Sequence, residues 1–494
     1  MPHDTLPTRS TDMDPEEFRR YAHEVVDRIA DYLADPTRWP VLARVTPGEL
    51  RRALPVSPPS SPEPMEEILA NVERVVLPAT THWNHPGFLG YFGITGSGPG
   101  ILGEMWAAAL NVNAMLWRTG PAATELEEVA LDWLRQLLGL PEGFEGTIND
   151  TASSSTLYAL AAAREAAGLG VREHGIAGRA DVPRLRVYCS EEAHSSVDKA
   201  ALTLGLGLEG TARIPTDDAL RMDVDALADA IRRDRAAGIL PIAVVATVGT
   251  TSTTSIDPVP EIAALCEDEG LWLHVDAAYG GALAIVPEHR DVLAGCDRAD
   301  SLVFNPHKWL FTPIDCSALY TRRPDVLERA FSLVPEYLKV PEREGEARNL
   351  MDYGVALGRR FRALKLWFVL RAFGADGIAE RLRQHVALAR EFARWVDEAP
   401  DFERLAPVPM SVVNFRHHPA GLDDEAALDA HNAALLERVN ATGEVFLSHT
   451  RVKGRYAIHL AIGNLRTTET HVHRAWELLC QFGREAAGTR AERV

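Results

Sequence analysis

The fold is decided by two stretches of sequence, LWLHVDAAYGG at residues 271–281 and SLVFNPHKWL at residues 301–310. Each stretch opens with a short apolar run that is typical of a buried strand in a parallel sheet. Asp276 and Lys308 follow these runs, which predicts that both lie at carboxyl ends of strands, where open α/β sheets bind ligands. A carboxylate and an amine would then share one crevice. The spacing leaves one alternative open, a structural salt bridge or a surface lysine beside an unrelated aspartate.

The sequence around these stretches alternates between apolar runs and helical patterns. Further buried strands are predicted at residues 185–189 and 242–247, and helices at residues 121–138 and 153–167. Such alternation indicates an α/β domain with a mainly parallel central sheet.

The two ends of the chain are organised differently. An amphipathic helix is predicted at residues 15–33, and the proline-rich connector at residues 55–64 cannot continue a helix. Beyond Gly374 the pattern becomes that of a smaller α+β domain, with helices at residues 377–396, 424–440 and 471–482 and a strand at residues 411–415. We therefore expect a helical N-terminal arm at residues 1–90, a large α/β domain at residues 91–375 and a small α+β domain at residues 376–494.

Composition excludes several classes of protein. The 494 residues are 46% hydrophobic and 24% charged, which are values of a folded globular chain. A formal net charge of −19 argues against a nucleic-acid partner. The longest apolar runs, such as residues 242–248, are far shorter than a membrane span, and residues 1–20 have no apolar signal core. Five scattered cysteines have neither metal-ligand spacing nor an even count, so we expect a reduced, cytoplasmic protein without a metal site.

Lysine is rare in this chain. Only five of the 51 basic residues are lysines, and the others are arginines. A lysine in apolar surroundings therefore suggests chemistry that a guanidinium group cannot perform, because only a primary amine forms a Schiff base. Together with Asp276, Lys308 would suit pyridoxal phosphate, whose ring nitrogen needs a carboxylate partner.

Two more features are predicted at the same edge of the sheet. The run DTASSS at residues 150–155 lies where a strand-like segment turns into a helix, so its backbone N–H groups and hydroxyls would point at an anion. An ordinary helix cap has the same composition. His194 follows the strand at residues 185–189 and could stack on a flat ring, position a carboxylate, or be structural.

A rival motif is the G-x-G-x-x-G pattern at residues 98–103, which matches a dinucleotide-binding fingerprint and would make the protein a nicotinamide oxidoreductase. The acidic residues at the required offset, Glu125 and Glu127, lie at a predicted helix start instead of a strand end. The pattern therefore favours this alternative less than a pyridoxal site.

Several motifs together resemble one known family, the group II pyridoxal-phosphate decarboxylases, and most closely the aromatic-L-amino-acid decarboxylases. The motifs that carry the resemblance are THWNHPGFLGYF, WRTGPAATELEEVALDWL, CSEEAHSSVDKA, VATVGTT, LWLHVDAAYGG, FNPHKWL and LGRRFRALKLWFVLR. The resemblance extends from about residue 14 to residue 479. HVDAAYGG followed by NPHKW at this separation is its most specific part.

The resemblance implies a fold-type I transferase architecture, similar to that of aspartate aminotransferase, with pyridoxal phosphate as cofactor. It also implies a homodimer with the active site at the subunit interface. In this family pattern Lys308 matches the Schiff-base lysine, Asp276 the partner of the ring nitrogen and His194 the imidazole stacked on the ring. The remaining matches are Ala152 and Ser153 for the phosphate cradle, flanked by Asn305 and His307, Thr251 near the ring, and Tyr337 on a mobile catalytic loop within residues 336–349.

The resemblance further implies decarboxylation of an aromatic L-amino acid, such as tryptophan, tyrosine, dihydroxyphenylalanine or phenylalanine, to the arylalkylamine and carbon dioxide. An aldehyde synthase that uses the same cofactor and oxygen is the neighbouring alternative, and Tyr337 and His194 favour plain decarboxylation. The expected substrate wall is apolar and contains no arginine that could bind a side-chain carboxylate: Trp83, Tyr91, Phe92, Ile94 and Met115. Asn113 adds a polar group to this wall, and Gly358 lies where glycine admits an indole ring.

Overall fold

The computed structural model describes residues 12–333 and 347–491. A seven-stranded sheet occupies the middle of the chain, with the strand order β1-β7-β6-β5-β4-β2-β3. Its strands are β1 (Glu145–Asn149), β2 (Leu185–Ser190), β3 (Thr211–Ile214), β4 (Leu240–Thr247), β5 (Trp272–Asp276), β6 (Ser301–Phe304) and β7 (Ser317–Thr321). The four strands predicted from apolar runs are confirmed. Strands β3 and β7, which are only four and five residues long, were not predicted from the sequence.

The sheet is mainly parallel, as predicted. Strands β2 to β6 pair in parallel, and only β7 runs antiparallel, between β1 and β6. The register places Thr247 of β4, Asp276 of β5 and Val303 of β6 side by side. The carboxyl ends of three neighbouring central strands therefore meet at one edge of the sheet.

Helices cover both faces of this sheet. The α-helices within residues 12–333 are α1 (Pro15–Ala34), α2 (Glu49–Ala53), α3 (Met65–Asn71), α4 (Gly98–Leu110), α5 (Pro121–Leu138), α6 (Ala152–Ala166), α7 (Val171–His174), α8 (Ser196–Thr203), α9 (Val224–Ala236), α10 (Val259–Glu269) and α11 (Pro324–Phe331). One apolar layer contains buried residues of α6, α8 and α11, and the other contains those of α5, α9 and α10. Local sequence sets the ends of α5, which begins at Pro121 and stops before Gly139, a residue with φ 72°.

A second, antiparallel sheet follows in the last part of the chain, with the order β10-β11-β9-β8. Its elements are α12 (Ala363–Glu398), β8 (Phe402–Arg404), β9 (Val412–His417), α13 (Glu425–Ala441), β10 (Ser448–Val452), β11 (Arg455–Ala461) and α14 (Glu469–Ala491). This confirms the expected α+β character. Helix α12 starts earlier than predicted and is kinked at Gly374, where φ is 61° and ψ is 170°. The kink lies next to the predicted boundary at residue 375, and the three domain boundaries stay predictions.

The G-x-G-x-x-G motif has a packing role. Residues 98–103 form the first turns of α4, and the segment before them, residues 91–97, contains no strand. A Cβ atom at Gly103 would lie 2.6 Å from the Cα atom of Lys365, so this glycine permits close contact between α4 and α12. The dinucleotide-binding alternative is therefore wrong, because that fingerprint requires a strand leading into the helix.

None of the helices in the described part of the chain is both long enough and apolar enough to cross a membrane.

Candidate active site

A cavity of about 270 Å³ opens at the carboxyl edge of the central strands. Eight of the predicted site residues line it: Trp83, Tyr91, Phe92, Ile94, His194, Thr251, His307 and Lys308.

Asp276 ends β5 and is 7% exposed, and its Oδ1 atom accepts a hydrogen bond of 3.1 Å from the Ala278 N–H. Lys308 follows β6 in a turn closed by a 3.0 Å bond from its own N–H to the Asn305 carbonyl. The strand-end positions predicted for both residues are confirmed.

The amine of Lys308 loses its proton more readily than that of an exposed lysine. Burial lowers the pKa of Lys308, and the charge of Asp276 opposes this effect. The Nζ atom lies 5.2 Å from the centre of the Phe92 ring. A lowered pKa leaves more of the amine unprotonated, which is the form that attacks a carbonyl carbon.

Two imidazole rings face the same cavity. The Nδ1 atom of His307 accepts a 2.9 Å bond from the Cys316 N–H, and Nδ1 of His194 accepts a 3.1 Å bond from the Ser196 N–H. Burial lowers the pKa of His307 to about 4, and Lys308 adds to this lowering. Burial also lowers the pKa of His194, which Asp276 opposes and Lys308 reinforces. Because Nδ1 accepts in both rings, each neutral ring carries its proton on Nε2.

The start of α6 provides a place for an anion. Its N-cap residue, Thr151, makes no side-chain capping bond, so the backbone N–H groups of the first turn, including those of Ala152 and Ser153, are left to other partners. Ser155 Oγ lies 3.0 Å from Ser317 Oγ, directly after Cys316. Since Cys316 also binds His307, this helix start is connected to the cavity wall.

Asn305, next to His307 in the cavity wall, has a side-chain oxygen without a hydrogen-bond partner among the described residues. Its side chain is buried. Its amide nitrogen is placed 3.4 Å from Nε2 of His307, although both atoms are then donors. Rotating the amide by 180° would let Oδ1 accept the Nε2–H of His307 and turn the NH₂ group to the other side. An amide donor there would suit an anion.

The outer wall of the cavity is aromatic. Trp83 and Tyr91 have ring centres 6.1 Å apart and nearly parallel planes. Phe92 stacks on Tyr279 at 3.9 Å, and Tyr279 stacks on Trp309 at 4.7 Å. This column fixes Phe92 from behind, since Tyr279 and Trp309 are both fully buried. A flat, apolar group would find complementary surfaces here.

The rest of the cavity lining was not predicted from the sequence. It consists of five residues: Ser252, Ser448, His449, Thr450 and His459. Four of them belong to the hairpin β10–β11 of the second sheet. Their alternating pattern predicts a strand but contains no signal that the strand reaches a site built by residues 83–308.

Three predicted substrate residues do not line this cavity: Asn113, Met115 and Gly358. They form a separate group in which the Asn113 Oδ1 atom accepts a 2.9 Å bond from the Arg359 N–H. Asn113 and Gly358 are exposed. Tyr337 lies outside the described residues. Four other predicted residues are not part of the lining itself: Asn305 and Asp276 contact or interact with the lining residues His307 and Lys308, and Ala152 and Ser153 begin the helix whose Ser155 reaches Ser317.

The residues fit a bound pyridoxal phosphate on three points. Lys308 supplies an amine with a lowered pKa, the uncapped start of α6 and the unsatisfied Asn305 suit a phosphate, and Asp276 is a buried carboxylate that interacts with Lys308. A crevice with this lysine, this carboxylate and an anion site, at the carboxyl edge of an α/β sheet, is typical of the class of enzymes that use pyridoxal phosphate.

Comparison with known proteins narrows this class. Residues 47–418 match the pyridoxal-dependent decarboxylase conserved domain. A tryptophan decarboxylase of Camptotheca acuminata is 40% identical over 476 residues, which cover 94% of each chain. A phenylacetaldehyde synthase of Arabidopsis thaliana is 39% identical over 478 residues, which cover 94% of this chain and 96% of that protein. The crystal structure of Oryza sativa TDC with PLP and tryptamine superposes with a TM-score of 0.91 at 38% identity, covering 96% of this chain and 99% of that one.

The chain belongs to the pyridoxal-dependent decarboxylase family. It is a pyridoxal-phosphate-dependent carboxy-lyase, as the sequence resemblance implied. Its relatives include both aromatic-amino-acid decarboxylases and aldehyde synthases.

Proposed function

We propose that the enzyme decarboxylates an aromatic L-amino acid to the corresponding arylalkylamine and carbon dioxide. The observation that carries this proposal is the cavity wall of Trp83, Tyr91, Phe92 and Ile94. Among the described residues that line the cavity there is no arginine, which an acidic side chain would need as a partner. Tryptophan is a natural first candidate, because one relative is a tryptophan decarboxylase and one similar structure contains tryptamine.

The site residues have separate roles in this proposal. When bound, pyridoxal phosphate supplies a ring that accepts the electron pair left by the departing carbon dioxide. Lys308 would hold the cofactor covalently and Asp276 would keep a proton on its ring nitrogen. Thr251 would lie near the ring. Ala152 and Ser153 would hold the phosphate at the start of α6, with Asn305 and His307 flanking it.

Proton handling falls to two residues in the proposal. His194 carries its proton on Nε2 when neutral, so it could donate this proton to a substrate carboxylate, and its ring would stack on the cofactor. Tyr337 would deliver a proton to the substrate carbon from its hydroxyl group after carbon dioxide has left. Exclusion of water by the aromatic wall would keep that carbon from reacting elsewhere.

A homodimer completes the proposed site. One face of α4 exposes large apolar side chains: Leu102, Met105, Trp106 and Leu110. Their spacing places them on one side of the helix, as expected for a surface that a second subunit covers. Asn113, Met115 and Gly358 miss the cavity of their own chain, and we propose that they reach the cavity of the partner. A cytoplasmic location remains part of this proposal.

Aldehyde synthesis is the second candidate, because one relative is a phenylacetaldehyde synthase. That reaction would consume oxygen and water and would release carbon dioxide, ammonia and hydrogen peroxide with the aldehyde. A decarboxylase releases the amine and carbon dioxide only. Measuring amine, aldehyde and peroxide in the same reaction therefore separates the two candidates.

A substrate panel tests the proposed function directly. The purified enzyme with added pyridoxal phosphate should give a measurable kcat/KM for at least one of tryptophan, tyrosine, phenylalanine and dihydroxyphenylalanine. Glutamate, aspartate and histidine should give negligible turnover. A preference for an acidic or imidazole side chain would overturn the aromatic assignment and leave the carboxy-lyase assignment in place.

A further inference from the structure

Tyr91 has an unusual backbone conformation for a residue in a substrate wall. Its φ angle is 51°, in the left-handed region that a bulky residue rarely adopts. Such strain persists only where the surroundings hold the backbone in place, and it is concentrated at functional sites. The side chain of Tyr91 lines the cavity and stacks near Trp83.

The hairpin β10–β11 holds this strained residue on both sides. The Tyr91 N–H donates a 2.9 Å hydrogen bond to Ser448 Oγ. The Tyr91 carbonyl oxygen lies 3.0 Å from Nε2 of His459, and because a carbonyl oxygen only accepts, the ring nitrogen is the donor. Both backbone polar groups of Tyr91 are therefore bound by side chains about 360 residues away in sequence.

The same hairpin also holds the turn that carries Thr251. The Nδ1 atom of His459 lies 3.1 Å from the Ser252 carbonyl oxygen, which accepts a 2.9 Å bond from Asn414 Nδ2. Burial lowers the pKa of His459, and a neutral imidazole has a single N–H, so the ring that donates to Tyr91 contacts the Ser252 carbonyl without donating to it. Thr450 donates a 2.8 Å bond to Ser252 Oγ. His459 is 4% exposed, so its ring is packed between the Tyr91 carbonyl and this turn.

We propose that Ser448 and His459 form a clamp that positions Tyr91 for substrate binding, and that His459 couples this wall to the Thr251 turn. Both are positioning residues, since they act through the backbone of Tyr91 and Ser252. The consequence for the reaction rests on the proposed function, whereas the clamp itself can be measured without substrate. Removing the clamp should loosen the wall and weaken substrate binding more than it slows the chemical steps.

The first experiment measures amide hydrogen exchange of peptides that contain Tyr91, in the protein without cofactor or substrate. Ser448→Ala removes the acceptor of the Tyr91 N–H, so exchange at this amide should become at least about fivefold faster, the factor expected for one ordinary hydrogen bond. Ser448→Thr keeps the hydroxyl group and should restore protection. His473→Gln, on the exposed surface of α14, is the matched histidine control for His459→Leu and should change nothing. Exchange within twofold of wild type in both Ser448→Ala and His459→Leu would overturn the clamp.

The second experiment separates KM from kcat with the aromatic amino acid that is turned over fastest. For Ser448→Ala and His459→Leu, KM should rise about fivefold or more while kcat changes by less than about twofold. Faster exchange with an unchanged KM would show that the clamp holds Tyr91 without positioning the substrate, and would overturn the functional part. If no aromatic amino acid were turned over at all, the proposed function would fail, and the exchange experiment would still decide whether the clamp exists.

Discussion

Replacing Glu127 by glutamine tests how the protein keeps the cofactor cradle in place. Glu127 and Arg359 form a buried ion pair with a 2.8 Å contact, and their side chains are only 2% and 7% exposed. The Glu127 Oε1 atom also accepts a 2.8 Å bond from the Ile148 N–H, and Arg359 donates a 2.7 Å bond to the Ile148 carbonyl oxygen. The pair therefore holds the end of β1, four residues before Ala152 and the start of α6.

The expected loss of stability is set by the Arg359 guanidinium group, which stays buried after Glu127 is replaced. Glu127→Gln keeps the shape but leaves a buried guanidinium group without its counter-charge, and removing one partner of a buried pair costs about 3–5 kcal/mol. Arg359 retains two carbonyl acceptors, on Ile148 and Ala114, so we expect the lower end of this range, about 3 kcal/mol. With an unfolding entropy of about 2.1 cal/mol/K per residue, the Tm of a 494-residue chain falls by about 1 °C per kcal/mol, so the apparent Tm should fall by about 3 °C.

Thermal unfolding followed by circular dichroism measures this shift, and the change in cofactor affinity can be titrated in parallel. Arg359→Met should be destabilising too, because it leaves the Glu127 carboxylate buried and unpaired. The double variant should lose much less stability than the sum of the two single variants, since neither charge then remains alone. A Tm within about 1 °C of wild type for Glu127→Gln, or strictly additive effects, would refute the reasoning.

Four further predictions concern the catalytic groups and the pH dependence of stability. Lys308→Arg keeps a positive charge without a primary amine, so we expect a folded protein without turnover; near-wild-type activity would exclude Lys308 as the covalent site. Asp276→Ala should lose most of the rate in a standard turnover assay while retaining some bound cofactor in its absorption spectrum. Tyr337→Phe should shift the products from amine towards aldehyde, ammonia and peroxide, and unchanged amine output without peroxide would assign the proton to another group. Burial raises the pKa of Asp257 to about 6, above its value in the unfolded chain, so the folded state binds the extra proton between about pH 4 and pH 6. The unfolding free energy of the wild type, measured relative to Asp257→Asn by urea titration, should therefore fall as the pH rises through this range.

The sequence was sufficient for the parts of the site that lie at strand ends. A buried parallel strand is a short apolar run, and the polar residues within a few positions after it lie near the edge of the sheet. For this reason the pattern of residues alone brings Asp276, Lys308 and His194 to one edge of the sheet. The start of α6 was predicted on the same local grounds, from small hydroxyl residues at the junction of a strand and a helix.

Local pattern was misleading where a motif had two physical uses. The glycines at residues 98–103 match a dinucleotide-binding fingerprint, but the protein uses them for close helix packing against Lys365. The first part of α12 was missed because its residues 363–373 are apolar on several sides, as they are buried between neighbouring elements. In both cases the tertiary surroundings, and not the spacing of residues, decided the outcome.

The residue pattern by itself predicted the α/β class and the polar residues that follow the central strands, because the length and apolar character of a buried strand are local properties of the chain, and the resemblance to a known family added the cofactor. Only the tertiary structure decided which residues close the cavity. The bond from Tyr91 to Ser448 joins residues 357 positions apart, and that from His459 to Tyr91 joins residues 368 positions apart. No periodicity encodes such a pairing, since it depends on how the second sheet packs against the N-terminal segment. The same reason separates Asn113 and Gly358 from the cavity of their own chain.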